Sequence, residues 1–390
     1  MSLDRSELKL MLGALAGVCL SNFIIFSAPL YIGSLMDGMG FNETQAGLIN
    51  TLEIGSVAVM CLLLSHWLSQ FSLRYLAMAG ALLILAANFV TFWCDEYLIL
   101  LLLRVLAGLG AGLCLAATSA LLSRMADPDR MMGMMLVINT LIMIVALTFM
   151  GYAKSQWNFA GVVGLFSVAV LILFPLLLLI PVESFSAGQT AKAGTASVDH
   201  HFSLGSLGVG LLFLFCVIEG GVWAFSERSG NNLGMGDGDI GMLLALAQTA
   251  GLIAALIPAV LGERIPRIFP ICIGTLLMGS AGLLIYQTTS TLVYSACLCA
   301  FSFGFFIAFP YLVGACARLD ADGRWAARAS ALNLLGGAVA PFIAANIISA
   351  SDYQTLGTFC FGLSLVCVSL AVIFNRQLNR TEVVHVGQPG

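Results

Sequence analysis

Charged residues are scarce in this sequence. Asp, Glu, Lys and Arg make up 9% of the 390 residues, whereas 60% are hydrophobic. Soluble domains carry about 25% charged residues. Because so little charge is available to cover a water-exposed surface, the composition predicts an integral membrane protein.

Several chemical signatures are also missing. The 4 histidines have no acidic or cysteine companions at metal-ligand spacing, and no glycine-rich phosphate loop supports ATP-driven pumping. No basic stripe of the kind that grips nucleic acid is present. The 11 cysteines stand mostly singly in apolar runs, where a thiol behaves as a small hydrophobe. We predict no metal, cofactor, disulfide, nucleic-acid partner or enzymatic activity.

Long apolar runs fill most of the chain. A bilayer core of about 30 Å requires about 20 apolar residues in a helix, and the first run is too long for a cleaved signal peptide. We predict an all-α integral membrane protein with twelve spans, near residues 10–34, 44–68, 74–93, 98–122, 132–153, 160–182, 206–228, 239–262, 268–287, 290–316, 327–350 and 354–375.

The loops on the two predicted sides of the membrane differ in charge. Loops on the side of the N-terminus hold most Lys and Arg residues, whereas the opposite loops are acidic and contain only Lys154 and Arg228 as cations. Cytoplasmic loops carry the excess of positive charge. Both termini are therefore predicted to be cytoplasmic, and the short loops favour a bacterial inner membrane.

One polar stretch rich in Gly, Ser and Ala, residues 183–205, reads as a cytoplasmic linker that divides the spans six and six. If the halves are copies, landmark residues should recur at one offset. They recur 194 positions apart, in the pairs Gly47 and Gly241, Gly80 and Gly274, Gly110 and Gly304, Arg124 and Arg318, Arg130 and Arg324, and Asn139 and Asn333. We predict two six-helix bundles, residues 1–182 and 206–376, and a cytoplasmic tail, residues 377–390.

Paired six-helix halves indicate a mechanism. A substrate site between two similar bundles is opened to either side when one bundle rocks against the other. We therefore expect a monomer in the lipid bilayer that moves a small molecule by alternating access. The alternative is a duplicated scaffold or receptor without a transport role.

An arginine interrupts the apolar run LLLRVLAGLGAG, residues 101–112. A charge at membrane depth costs at least about 2.5–3.5 kcal/mol on insertion scales and usually faces a partner or a cavity. Arg104, Gly108 and Gly112 share one helix face, where glycine lets a neighbouring backbone approach. Glu53 and Arg104 lie at depths of about 15 and 10 Å, so we expect the two charges to be within reach of each other.

The repeat separates two interpretations of this pair. Position 53 corresponds to Ala247 and position 104 to Leu298, so the charges are peculiar to the first half. This favours a working pair for substrate or proton coupling over an ion pair that only stabilises packing.

Glu219 is a third candidate for substrate and proton coupling. It precedes Gly220 and Gly221 in FLFCVIEGGVWAF, on the seventh predicted span. A double glycine loosens a helix and frees backbone carbonyls in discontinuous transporter helices; alternatively, it only permits tight packing. Other polar residues that could line a central cavity, each also explicable as structural, are Asn22, Ser27, Tyr31, Asn50, Trp223, Gln248, Tyr311 and Asn333.

With these features the chain resembles the major facilitator superfamily of secondary transporters. The fourth-helix motif of that family is an arginine followed by a series of glycines, which are here Arg104, Gly108, Gly110 and Gly112. A second motif of the family, G-x-x-x-D-R-x-G-R, resembles AVLGERIPR at residues 259–267.

The second motif implies a conformational role for its charged residues, which are Glu263, Arg264 and Arg267. The corresponding first-half stretch, SHWLSQFSL at residues 65–73, lacks the charges that latch the cytoplasmic side in the family. The fifth span also lacks the Gly-Pro pair of the family's drug antiporters. The resemblance therefore implies a superfamily and a fold without naming a substrate.

Three functions stay open. A proton-coupled carrier of amphipathic or anionic organic solutes would use Arg104 to bind a carboxylate bidentately. A proton-driven exporter of lipophilic compounds would use Glu219 if Glu53 already neutralises Arg104. A membrane scaffold or receptor would bind a protein partner and exchange no solute.

Overall fold

A computed structural model describes residues 5–64, 68–123, 125, 128–182, 202–261, 264–317 and 324–386, and within these ranges it contains helices and no strand. The helices are α1 (Arg5–Met39), α2 (Glu43–Leu64), α3 (Leu73–Thr91), α4 (Tyr97–Leu122), α5 (Pro128–Leu177), α6 (Phe202–Asn232), α7 (Asp237–Leu261), α8 (Ile268–Gln287), α9 (Thr291–Ala317), α10 (Arg324–Ala350) and α11 (Tyr353–Val386). A short 3₁₀ turn, Leu68–Gln70, precedes α3.

The prediction of an all-α membrane protein is confirmed. Each of these eleven helices contains a segment long and apolar enough to cross a membrane, and every predicted span falls on one of them. The last helix extends to Val386 and so includes most of the predicted tail. Most of the predicted linker, residues 183–201, lies outside the described residues.

Helix α5 covers two of the predicted spans. Asn158 has a non-helical backbone, with φ 48° and ψ −131°, in the left-handed half of φ space that Asn tolerates better than most residues. A Cβ atom at Gly161 would overlap the carbonyl oxygen of Ala153. Eight residues of continuous helix would separate those positions by about 12 Å, so the chain turns sharply at Asn158.

The described residues form two compact bodies. The first comprises those of 1–190 and 230–245, and the second those of 191–229 and 246–390. In the first body α4 packs against α2 and α3, and α1 packs against α5; in the second, α8 packs against α9 and α11.

The two bodies contain the same glycine contact. A Cβ atom at Gly110 on α4 would lie 2.6 Å from the carbonyl oxygen of Gly80 on α3. A Cβ atom at Gly274 on α8 and one at Gly304 on α9 would each lie 2.6 Å from the other residue's carbonyl oxygen. Because these pairs are 194 positions apart, the contact supports the repeat register found in the sequence.

The helices carry apolar side chains on their outer faces. Ile172 is 67% exposed, Val260 69% and Leu292 79%. Side chains of this kind are stable in contact with lipid tails, whereas contiguous exposed apolar surface is rare on soluble monomers. Among the described helices, the apolar windows of α1 and α6, which correspond in the repeat, have the largest buried share, 67% each.

Candidate functional site

Glu53 and Arg104 approach each other inside the first body. Arg104 Nη1 on α4 lies 3.7 Å from Glu53 Oε1 on α2. The Arg104 side chain is completely buried and Glu53 is 4% exposed. The pair therefore places one positive and one negative charge within the membrane-spanning part of a single helical body.

The glycine ladder explains why α2 and α4 come so close. A Cβ atom at Gly108 would overlap the carbonyl oxygen of Glu53, and one at Gly112 would lie 2.6 Å from Met60 Cβ. Gly110 instead faces Gly80 on α3. Alternate glycines thus fit α4 against two neighbouring helices, and the Gly108 contact fixes the backbone from which Glu53 projects.

Thr91 holds the other side of the arginine. Arg104 Nη2 donates a hydrogen bond of 2.8 Å to Thr91 Oγ1 at the end of α3. The Thr91 hydroxyl in turn donates to the backbone carbonyl of Ala87, also at 2.8 Å. The hydroxyl therefore connects the guanidinium to the α3 backbone and limits its movement away from Glu53.

Several buried polar atoms of the site have no hydrogen-bond partner among the described residues. These are Arg104 Nε and Nη1, Glu53 Oε2, the Tyr31 hydroxyl, and both side-chain amide atoms of Asn50 and Asn88. Tyr31 is close enough to Glu53 and Arg104 to interact electrostatically with both. Unbonded buried polar groups are few in folded proteins, so this cluster has the capacity to bind further polar groups or protons.

Lys154 forms a second buried charge cluster in the first body. Its side chain is completely buried, and Nζ lies 2.8 Å from Asp37 Oδ2 on α1 and 2.6 Å from Asp237 Oδ1 on α7. The sequence placed Lys154 in an outer loop. Helix α5 instead continues through this position to the turn at Asn158, which brings the ammonium group between the two aspartates.

In the second body, Glu219 lies half-buried on α6 and forms no hydrogen bond or ion pair with the described residues. Helix α6 is continuous across the double glycine. A Cβ atom at Gly220 would lie 2.8 Å from Ala340 Cβ on α10. The geometry therefore supports the tight-packing interpretation of the glycines rather than a broken helix.

The remaining predicted residues are distributed over both bodies. Asn22 lies half-buried in the first body, and Trp223, Gln248 and Tyr311 are buried in the second. Asn333 accepts a hydrogen bond of 3.0 Å from the Cys216 thiol.

Among the charged residues of the second family motif, Arg264 is exposed, Arg267 is half-buried with its guanidinium near Gly314, and Glu263 lies outside the described residues. Glu227 and Arg228 form two hydrogen bonds with each other, of 2.7 and 3.1 Å.

Sequence reasoning missed Asn88, Thr91 and Lys154. Asn88 and Thr91 are three positions apart in an apolar span, so they share a helix face, and a systematic search for such polar pairs would have found them. Lys154 is one of two cations in the segments that the sequence predicted to be acidic outer loops, which is an electrostatic reason to expect carboxylate partners.

Long apolar helices that enclose a buried ion pair and further buried polar side chains define a polytopic membrane protein. Residues 10–227 match the sequence profile of the Major Facilitator Superfamily. This match covers more than half of the chain, and the chain belongs to that superfamily.

Solved structures show the same fold. The structure of the nucleoside transporter NupG aligns with a TM-score of 0.71 and 13% sequence identity, and the alignment covers 95% of this chain and all of NupG. A bacterial homologue of the human lysosomal transporter Spinster is 15% identical with a TM-score of 0.71, covering both chains completely. A peptide transporter, POT, is 16% identical with a TM-score of 0.67, covering 95% of this chain and 94% of that one. No curated protein matches the sequence.

Proposed function

We propose that this chain is a secondary active transporter that moves a small amphipathic or anionic organic solute by alternating access, coupled to protons. It spans a bacterial inner membrane twelve times, with both termini in the cytoplasm. The six-helix halves 1–182 and 206–376 are joined by the linker 183–205. Membership of the superfamily supports transport, and the sharp turn at Asn158 supports two membrane crossings by α5.

The observation that carries the proton and substrate assignment is the buried pair of Glu53 and Arg104. Its atoms lie 3.7 Å apart, beyond hydrogen-bond length, and both Arg104 Nη1 and Glu53 Oε2 lack hydrogen-bond partners. An organic carboxylate could therefore take the position facing Arg104 when Glu53 is protonated. Exchange of one proton on Glu53 would then be linked to binding of one negative charge.

Thermal stabilisation of the detergent-purified protein tests the substrate class. Ligands that bind the folded state raise its melting temperature by mass action. Organic acids, lipophilic cations, sugars and lipids would be screened at acidic and neutral pH. We expect stabilisation by organic acids that Arg104→Ala abolishes and that Arg376→Ala, which removes an exposed arginine of α11, leaves intact.

Uptake into proteoliposomes tests the coupling. Glu53→Gln keeps the size of the side chain and removes its exchangeable proton, so we expect loss of the response to a pH gradient while counterflow of unlabelled against labelled solute persists. The matched control is Glu7→Gln, an exposed glutamate at the start of α1. Full gradient dependence in Glu53→Gln would remove Glu53 as the proton carrier.

A second candidate function, export of lipophilic cations, follows if Glu53 neutralises Arg104 and Glu219 is the group that binds the substrate. Glu53 already faces Arg104, whereas Glu219 forms no ion pair with the described residues. A proton-driven exporter would use Glu219 to bind lipophilic cations. Stabilisation by cations that is lost in Glu219→Gln and kept in Arg104→Ala would favour this function over the anion carrier.

A further inference from the structure

A small cavity lies inside the first body beside Glu53. It has a volume of about 30 Å³, room for one or two water molecules. Apolar side chains of α1 and α5 form most of its wall, together with Ala107 and Ala111 of α4. Glu53 of α2 and Asn88 of α3 are the polar residues that line it.

Both polar residues have unbonded atoms. Asn88 is 0% exposed and neither of its amide atoms has a hydrogen-bond partner; Glu53 Oε2 also has none. Burial without a hydrogen bond is unfavourable for either group. A water in a polar cavity is typically stabilised by two to four such partners, and this cavity supplies a carboxylate oxygen, an amide donor and an amide acceptor.

The second half of the chain shows that the scaffold does not require this cavity. At the 194-residue offset, Asn88 corresponds to Gly282 and Ala107 to Phe301. Phe301 is 1% exposed, and its ring lies 3.8 Å from the position that a Gly282 Cβ would take. Where the first half has a small side chain beside an amide, the second half has a buried ring beside a glycine.

We propose that the cavity is a water site which bridges the Asn88 amide and Glu53 Oε2, and that Glu53 exchanges its proton through it. This inference rests on the proposed role of Glu53 as proton carrier. In the step, a hydronium ion transfers its proton to Oε2 and remains as water hydrogen-bonded to Asn88; release is the reverse. Asn88 is thus a positioning residue that orients the water.

The other groups around Glu53 favour this side for proton exchange. Arg104 from α4 contacts the opposite carboxylate oxygen, Oε1, so the guanidinium leaves Oε2 available to the water. Tyr31 from α1 is the other titratable group near the carboxylate. Helices α3 and α5 add only Asn88 and apolar side chains to the cavity wall.

Infrared difference spectroscopy of the purified full-length protein after a pH step tests the site without a substrate, because the proton is the probe. The carboxyl C=O band of Glu53 is the band that disappears in Glu53→Gln. In Asn88→Leu we expect this band to shift to higher frequency and a water O–H band, identified by exchange into H₂¹⁸O, to be lost. Asn139→Leu, which replaces another buried and unbonded amide of the first body, should change neither band.

A second variant copies the arrangement of the second half into the first, as Asn88→Gly with Ala107→Phe. It should reproduce the band changes of Asn88→Leu, whereas Asn88→Ser, which keeps a small polar group, should retain the water band. Unchanged Glu53 and water bands in both Asn88→Leu and the double variant would overturn the water site and leave the proton role of Glu53 standing. If Glu53→Gln removed no band at any pH, the proton role itself would fall, and the water site with it.

Discussion

The two halves of the chain share a framework and differ in how they fill it. In the first, Gly112 on α4 receives Val57 and Met60 from α2. In the second, the residue corresponding to Gly112 is Phe306, and its ring packs on Gly251, which corresponds to Val57. At this contact the glycine lies on α4 in the first half and on α7 in the second, and the large side chain lies on the opposite helix of each pair.

The exchange has a consequence for function. Small residues on α4 of the first half leave space for Glu53, Arg104 and a water-sized cavity. At the matching positions of α9, Phe301 and Phe305 replace Ala107 and Ala111, so larger side chains stand where the first half has small ones. The two halves thus share a helical framework but differ in the side chains that fill it. The buried charges Glu53 and Arg104 occur in the first half, where the helix α4 has small residues at these positions.

We expect the largest loss of folding stability from a variant that disrupts the close contact of α4 with α2. In Gly108→Ala, the added methyl group would overlap the Glu53 carbonyl and approach Ser56 Cβ at 2.9 Å. Overpacking costs about 1–3 kcal/mol and occasionally more, and we expect about 3 kcal/mol because backbone cannot move aside as a side chain does. Thermal unfolding in detergent measures the loss.

The control for this variant is Gly133→Ala on α5, where no atom lies within 4 Å of the added methyl group. Alanine is a better helix former than glycine by about 0.8–1 kcal/mol, so this variant should be as stable as the parent or more so. Equal melting temperatures for the two variants would contradict the close-packing argument.

Lys154 provides the second comparison, because its counterpart in the second half is Ile348. Lys154→Met would remove the buried cation that contacts both Asp37 and Asp237. Breaking a buried ion pair costs about 3–5 kcal/mol. We expect about 2 kcal/mol, since the aspartate side chains are 37% and 20% exposed and water partly solvates them.

Neutralising the two aspartates in the same chain tests that explanation. Lys154→Met combined with Asp37→Asn and Asp237→Asn should recover part of the lost melting temperature, because the two carboxylates that Lys154 contacts are then uncharged. Lys9→Met, at an exposed lysine, is the matched control and should be neutral. If the triple variant were less stable than Lys154→Met alone, charge repulsion would not be the cause.

Asn158 and its counterpart Asp352 distinguish corresponding turns of the two halves. Asn158 has φ 48° and ψ −131°, a sparsely populated backbone conformation that costs about 1–3 kcal/mol in a non-glycine residue. Asn158→Gly should raise the free energy of unfolding by up to that amount, whereas Asn158→Val, with a β-branched side chain, should lower it. A valine variant as stable as the glycine variant in detergent would show that the turn relaxes out of the left-handed region.

Much of the framework was predictable from sequence, because apolar length and glycine spacing are local signals. Every predicted span falls on a helix, and the 194-residue register recurs in the contact of Gly80 with Gly110. The approach of Arg104 to Glu53 followed from their similar depths. The water-sized cavity did not, because it depends on side chains from five helices whose relative rotation no single helix encodes.

We expect the smallest loss of folding stability from substitution of Asp352, the counterpart of Asn158. Its Oδ1 accepts a hydrogen bond of 2.7 Å from the backbone N–H of Thr355 in the first turn of α11, which lowers the pKa of this exposed carboxyl below its usual range. Because the folded pKa is lowered, the stabilisation is present above the unfolded value of about 3.9 and is lost as pH falls through the folded value.

Asp352→Ala should therefore lower the melting temperature slightly at neutral pH, and the difference from the parent should shrink on acidification. Asp352→Asn keeps an oxygen acceptor for the helix N-terminus and should lose less, with no pH dependence of its own. Because parent and variants share all other carboxyl groups, the difference between their melting temperatures isolates this cap. A difference that stayed constant from neutral to strongly acidic pH would show that Asp352 acts through the shape of the turn rather than through its charge.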